Sequence, residues 1–444
     1  MNKYRNKEVV MKLGLISLGC AKNLIDSELF LGVAKKYGLE ITNQIQTADI
    51  IVVNTCGFIE SAKKEAIDTI LDVTENKKGK IVIAMGCLVE RYLDDLKESI
   101  PEVDIYFPIK DYYHIDELFA KITSSKLSYK MDYQNRVITT LSHSAYLRIS
   151  EGCNNHCSYC AIPLIRGSFK SRPFDSLIDE AKTLAKKGVK EITLIGQDTT
   201  RYGTDLTQKK YLPDLLHKIS EIDEIKIVRV LYLYPDEITE DLIEEIATNK
   251  KVVHYFDIPI QHASNKILSL MNRRGDKAFL EKLIAKIRNK INDAIIRTTL
   301  IVGFPGESEE DFQELKNFVQ KERFDRLGVF TYSDEEDTKG FEMLPKIPQN
   351  IMDKRLDTIM KIQNKISKEI NNSYIGQSYQ AIVDQYDTKK EAYIVRNYAY
   401  APDDVDGNIY IYTKRLSTVQ PGDIINIKIT DANHYDLIAE IIEN

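Results

Sequence analysis

Nowhere in this 444-residue chain does an apolar run approach the roughly 18 residues of a membrane-spanning helix, and Met1 to Val10 are polar and charged, without a signal peptide's apolar stretch. The expected setting is the cytoplasm, with no membrane partner. An excess of positive charge is missing too: 61 Lys and Arg against 67 Asp and Glu leave a formal net charge of -6, so bulk charge does not favour nucleic acid as a partner. Tryptophan is absent, which decides nothing about function. Cysteine is scarce, six in all, and in a reducing compartment such thiols read as metal ligands or reactive groups rather than disulfides.

What is present is an ordinary balance of 43% hydrophobic and 29% charged residues, over a length that implies two or three domains. Half the cysteines fall in Cys153-Asn154-Asn155-His156-Cys157-Ser158-Tyr159-Cys160, just after a β-like run. Sets of four cysteines read as zinc or as a fully ligated cluster. Three thiolates with no fourth nearby leave one metal position open for substrate.

The first patterned runs, Lys12 to Leu18, Asp49 to Val53 and Lys80 to Ala84, read as strands separated by helical segments around Ser27 to Tyr37 and Ser61 to Thr74. That alternation implies βαβ units on a parallel sheet. Cys20, Cys56 and Cys87 each stand just past the end of one of these strands, beside Gly19, Gly57 and Gly86. In an open parallel sheet that edge binds ligands, so thiols far apart in sequence can converge there, the other reading being three separate core cysteines.

Residues 122 to 143 are polar and weakly patterned, as an inter-domain connection would be. A second α/β region follows, with strands expected at Ala145 to Ser150, Glu191 to Ile195, Lys226 to Leu231, Tyr255 to Ile260, Ile296 to Val302 and Arg326 to Tyr332, and helices between them. Six βα repeats are too few for a complete eight-fold barrel, so a partial (β/α)6 TIM-like barrel is expected, its site on the C-terminal rim. After an amphipathic helix over Met352 to Asn371, five short β-like runs from Ser378 to Ile442 suggest a small antiparallel β-barrel. The domains are then 11–130, 143–372 and 374–444. Residues 378 to 444 carry six basic and eleven acidic side chains, the wrong sign for a phosphate backbone and a better match to a basic protein.

The Cys153-x3-Cys157-x2-Cys160 spacing, with an aromatic before the last cysteine, resembles the signature of the radical S-adenosylmethionine (SAM) enzymes. With the upstream three-cysteine domain and the C-terminal barrel, the chain from Lys12 to Asn444 resembles the methylthiotransferases of that superfamily, in which the barrel is a TRAM domain with an OB-like fold. Ser17-Leu18-Gly19-Cys20-Ala21-Lys22-Asn23, Asn54-Thr55-Cys56-Gly57 and Gly196-Gln197-Asp198-Thr199-Thr200-Arg201-Tyr202-Gly203 are similar to the branch acting on an aspartate of ribosomal protein S-12. The branch acting on adenosine in tRNA usually has Gly-Cys-Gln-Met-Asn and Gly-Gln-Asn-Val instead, and neither occurs here.

The resemblance implies two 4Fe-4S clusters, one on Cys153, Cys157 and Cys160 that chelates and cleaves SAM, one on Cys20, Cys56 and Cys87 that presents the sulfur. It also implies a methylthio group placed on the β-carbon of the S-12 aspartate, free or in the ribosome, and an electron donor such as flavodoxin or ferredoxin. Tyr159 would lie beside the adenine, while Gln197 and Asp198 end a strand where the family contacts the SAM amine. Asp198 read by itself also suits a turn cap. Arg297 suits a SAM or substrate carboxylate. Asp257 to His262 and Val302 to Glu307 resemble pocket-lining motifs, with Gly303 and Gly306 permitting close backbone approach. His156 and His262 read as hydrogen-bonded neighbours rather than ligands.

Overall fold

The computed structural model describes residues 10–402 and 406–442. Most of the polar leader, and Asp403, Asp404 and Glu443 of the acidic count, lie outside the described residues. The chain divides into two compact units: one runs to Thr139 and takes in Cys160–Ser168, the other holds Thr140–Tyr159 and everything from Phe169 onward.

The first unit is built on β1 (Lys12–Ser17), α1 (Ala21–Lys36), β2 (Glu40–Ile41), β3 (Ile50–Thr55), α2 (Glu60–Glu75), β4 (Ile81–Gly86), α3 (Cys87–Arg91), α4 (Leu93–Ser99) and β5 (Ile105–Phe107). Its five-stranded sheet has the order β2-β1-β3-β4-β5, and every pair is parallel. All six residues of β3 are buried, because a central strand of a parallel sheet is covered on both faces. Ile50 and Val52 join the core on one face with Phe30, Met85 and Phe119, whereas Ile51 and Val53 join Ala66, Ile70 and Leu88 on the other. Period-two alternation thus makes three layers from one strand, each buried Val or Ile contributing roughly 1.5–3 kcal/mol. The short edge strands β2 and β5 left no run long enough to read in the sequence.

The polar stretch 122 to 143 is not a loose connection up to Thr139. Arg136, buried, pairs with buried Glu28 of α1, and Glu28 also accepts from the Thr139 amide at 2.7 Å. Val137 donates its amide to the Glu28 carbonyl at 3.0 Å. Gly32 lets this strap lie flat, since a Cβ there would stand 2.7 Å from the Asn135 carbonyl oxygen.

In the second unit, Ser144–Arg148, Glu191–Ile195 and Ile227–Val230 form one parallel three-stranded sheet, and Tyr255–Asp257, Ile295–Val302 and Arg326–Thr331 a second. The two meet through Val228, whose amide donates to the Lys251 carbonyl at 2.7 Å and whose carbonyl accepts from the Val253 amide at 3.0 Å. The strands follow one another in chain order, as an open partial barrel requires. The fourth strand is shorter than the run Tyr255 to Ile260 suggested, because beyond Asp257 the chain turns irregular and returns only as a bridge between Gln261 and Leu300.

The helix Gln349–Ser373 leads to a closed barrel of Ser378–Asp387, Ala392–Arg396, Ile409–Tyr412, Leu437–Ile441 and Ile424–Ala432, in that order. Its pairs are antiparallel except Ile409–Tyr412 with Leu437–Ile441, which is parallel. The acidic count read for this barrel overstates its surface: Asp384 and Asp406 are buried. Arg396 is buried with them and pairs with Asp384, so the barrel turns charges of both signs inward.

Candidate active site

Cys20, Cys56 and Cys87 stand at the carboxyl ends of three adjacent strands, because β1 pairs Ser17 with Asn54 of β3 and β3 pairs Thr55 with Gly86 of β4. Cys20 precedes α1 and Cys87 opens α3, so each thiol sits where a strand turns into a helix. Gly19 has φ +92 and no room for a side chain: a Cβ there would lie 3.2 Å from the Cys56 sulfur. Gly86, at φ +99, would drive a Cβ to 2.3 Å from Asn54 Oδ1. Burial pushes the Cys56 thiol up, and pushes Cys87 to about 11, with the neighbouring cysteines adding to the rise and Arg166 opposing it. Cys20 and Cys56 thus bear electrostatically on Cys87, and a thiol that binds a metal gives up its proton to do so.

The words flanking Cys20 make the frame. Asn23 donates through Nδ2 to the Thr55 carbonyl at 2.8 Å and the Leu18 carbonyl at 3.1 Å, which turns its Oδ1 toward Cys87 and Arg166. Asn54 donates to the Asn23 carbonyl at 2.7 Å and to Ser27 Oγ at 2.8 Å. Arg166, at the end of the short helix Ile162–Arg166 that follows Cys160, donates to Asp26 at 2.7 Å, to Asn23 Oδ1 at 2.7 Å and to Cys87 Sγ at 3.3 Å. Cys160 itself opens the segment Cys160–Ser168 that packs with this unit; Ala161 and Ile165 share an apolar cluster with Cys87.

Cys153 and Cys157 belong to the second unit, on a loop held at many points. Asn154 Oδ1 accepts from the Phe169 amide at 3.0 Å, Asn155 Nδ2 donates to Asp198 at 2.7 Å, and Ser158 Oγ donates to the Leu270 carbonyl at 2.7 Å. The Ser158 backbone is clamped from both sides, its amide donating to Met271 at 3.0 Å and its carbonyl accepting from Gly340 at 2.6 Å. Burial raises the Cys153 thiol, with Asp198 and Cys157 adding to the rise. Cys157 Sγ lies 3.6 Å from the Tyr234 hydroxyl and 3.9 Å from Arg273 Nη1, and that guanidinium is centred 4.0 Å over the Tyr234 ring.

Each expected rim residue has a definite place. Gln197 donates to Glu151 at 2.8 Å while its Oε1 is buried without a hydrogen-bond partner among the described residues. Asp198, buried, accepts from Asn155 and Thr200 and lies 3.7 Å from Arg201 Nε. Tyr159 packs against the cluster of Phe304, Tyr332 and Met352. Gly303, at φ +79, donates its amide to buried Glu307 and leaves room for Met352, which a Cβ would meet at 2.2 Å. Arg297 lies 3.8 Å from both Asp257 and Asp406, so its charge is answered inside the unit. His156 adopts φ +51 and accepts at its carbonyl from Asn272 at 2.9 Å; His262 accepts at Nδ1 from the Ser264 amide at 3.0 Å.

Sequence reasoning missed Arg166, Arg273 and Tyr234. Nothing in their spacing separates them from ordinary surface residues; only the fold turns each toward a thiol. No three His, Cys, Asp or Glu side chains among the described residues converge closely enough for a single metal ion. An iron–sulfur cube takes its thiolates from separate corners, and soft thiolates with N–H donors aimed at sulfur suit it.

Three family models match the chain: the radical SAM superfamily over residues 147–319, the uncharacterised protein family UPF0004 over 12–108 and the TRAM domain over 375–442. The protein "Ribosomal protein uS12 methylthiotransferase RimO" of Clostridium novyi is 47% identical over 100% of this chain and 99% of its own length. That of Caldicellulosiruptor saccharolyticus is 46% identical, over 98% and 100%. The chain belongs to the RimO family of methylthiotransferases. Among solved structures, the radical S-adenosylmethionine methyltransferase TsrM from Kitasatospora setae, with cobalamin and a [4Fe-4S] cluster bound, has 12% identity and a TM-score of 0.56 over 83% of this chain and 79% of that one, a likeness of fold.

Proposed function

We propose that this protein is a radical SAM methylthiotransferase acting in the cytoplasm, which adds a methylthio group to the β-carbon of an aspartate in ribosomal protein uS12. The observation that carries this reading is near-complete coverage, at 46–47% identity, of relatives named for that activity. Two separate thiol sets fit the same reading. Cys153, Cys157 and Cys160 would hold one 4Fe-4S cluster, and Cys20, Cys56 and Cys87 a second. When bound, the first cluster supplies the low-potential electron that cleaves SAM, delivered by a donor such as flavodoxin or ferredoxin.

The chain's own residues supply the positioning. Asp198 fixes the cysteine loop through Asn155, and Arg273 places a fixed positive charge beside Cys157. Gln197 Oε1, buried and without a hydrogen-bond partner among the described residues, is the acceptor we assign to the SAM ammonium, a role Asp198 is less free to take because its oxygens already receive Asn155 and Thr200. Arg297, paired with Asp257 and Asp406, fits a framework role better than a carboxylate clamp. Mass spectrometry of uS12 and of digested tRNA from cells lacking the gene tests the assignment. Loss of the modification from uS12 alone is expected; loss confined to tRNA would overturn it.

A further inference from the structure

We propose that Arg166 is the positioning residue of the N-terminal thiol set, orienting the Cys87 thiolate and raising the reduction potential of the cluster it helps to hold. The inference rests on the reading that Cys20, Cys56 and Cys87 bind a cluster.

The geometry singles this arginine out. Its side chain is 2% exposed, and its partner Asp26 is 1% exposed. One guanidinium nitrogen, Nη1, is spent on Asp26 at 2.7 Å; the other, Nη2, is shared between Asn23 Oδ1 at 2.7 Å and Cys87 Sγ at 3.3 Å. Asn23 cannot turn its amide nitrogen toward the sulfur, because Nδ2 is held by the Thr55 and Leu18 carbonyls. Once Cys87 is a thiolate, Asn23 offers it only an acceptor, and Arg166 supplies an N–H aimed at that sulfur. The planar fork is therefore fixed at three points before any metal arrives, and Ala161 and Ile165 pack the carrying helix against Cys87 itself.

Two consequences follow from elementary electrostatics. A buried positive charge beside a thiolate favours whichever cluster state carries more negative charge, which is the reduced one. A ligand oriented by a hydrogen bond from outside the coordination sphere holds its metal better, and loss of such a partner typically costs tenfold to a hundredfold in affinity or activity. Asp26 offsets part of that charge, but it is met by Nη1 while the sulfur is met by Nη2, so the N–H aimed at Cys87 survives the pairing and Arg166 still acts to lower the Cys87 thiol.

The test uses the full chain with Cys153, Cys157 and Cys160 changed to Ala, so that any iron bound belongs to the other set. Iron content and the midpoint potential from an EPR-monitored titration are measured for this parent and for Arg166→Gln and Arg166→Lys added to it. The parent is expected to bind a cluster, Arg166→Gln to shift its potential to more negative values, and Arg166→Lys, which restores the charge without the fork, to fall between. In the otherwise native chain, Arg166→Gln should lower methylthio transfer by about tenfold to a hundredfold while 5′-deoxyadenosine formation persists. Loss of iron in Arg166→Gln with retention in Arg166→Lys supports the proposal equally. Identical potentials in all three, or loss of iron in both variants together with Asp26→Asn, would reduce Arg166 to a packing residue and overturn it. A parent that binds no iron instead overturns the second cluster, and the role of Arg166 with it.

Discussion

Arg396 of the closed β-barrel donates through Nη2 to Glu191 Oε2 at 2.7 Å, joining that barrel to a fully buried carboxylate on the second strand of the parallel sheet. The same guanidinium meets Asp384 at 2.6 Å through Nε, and His143 Nε2 approaches the other Asp384 oxygen at 3.0 Å. Removing one member leaves buried charge unanswered. Arg396→Met is expected to destabilise the protein by about 3 to 5 kcal/mol, read from denaturant midpoints. Replacing Arg396, Glu191 and Asp384 together by apolar residues should recover most of that loss, and failure to do so would show that packing rather than charge dominates.

The same network sets a response to acid. Burial acts to raise Glu191 and Asp384, but Arg396, with His143 at Asp384, holds both below the usual carboxylate range. Asp311, which caps the helix Glu309–Glu322 and pairs with Lys266, is also held low against burial. A depressed folded pKa gives stability that is full above the unfolded value of about 4 and is lost as pH falls through the folded values. Thermal unfolding should therefore be flat from pH 7 to about 5 and fall below about 4. Asp311→Asn should lower the midpoint at neutral pH and flatten the acid slope.

Division of labour between the thiol sets is checked by alanine variants. Cys157→Ala should abolish both SAM cleavage and methylthio transfer. Alanine at Cys20, Cys56 or Cys87 should spare cleavage in part while ending transfer. Equal loss of 5′-deoxyadenosine in both groups would contradict the separation.

Asp198 anchors the cysteine loop through Asn155. Asn155→Ala removes the donor and leaves a buried carboxylate short of one bond, so iron retention or SAM cleavage should drop about tenfold to a hundredfold. Asp198→Asn, which keeps an acceptor oxygen, should do less harm. The reverse ranking would favour direct contact between Asp198 and SAM.

Gly303→Ala meets Met352 Cγ at 2.2 Å from a backbone at φ +79. Steric relief by Met352→Ala should recover part of the lost stability, since the clash is with a side chain, but not the strain of a positive φ. Full recovery in the double variant would show that the conformation itself costs little.

Local rules in the sequence determined much of this protein. Period-two apolar runs located β1, β3 and β4 and all six strands of the partial barrel, since a strand's pattern is written in adjacent residues. Strand-end cysteines in a parallel sheet predicted their own convergence. Tertiary structure alone decided which groups surround each thiol. Arg166 is six positions beyond Cys160 yet 79 from Cys87, and Arg273 is 116 from Cys157. Short edge strands such as β2 and β5 carry too few residues to show a period. The strap at Arg136 looked like linker because its one buried charge is matched by Glu28, 108 residues away. Charge exposure was equally a matter of folding: Asp384, Asp406 and Arg396 all entered the barrel's charge count, and all three are turned inward. Composition records how many charges a chain has, and only packing decides which of them meet solvent.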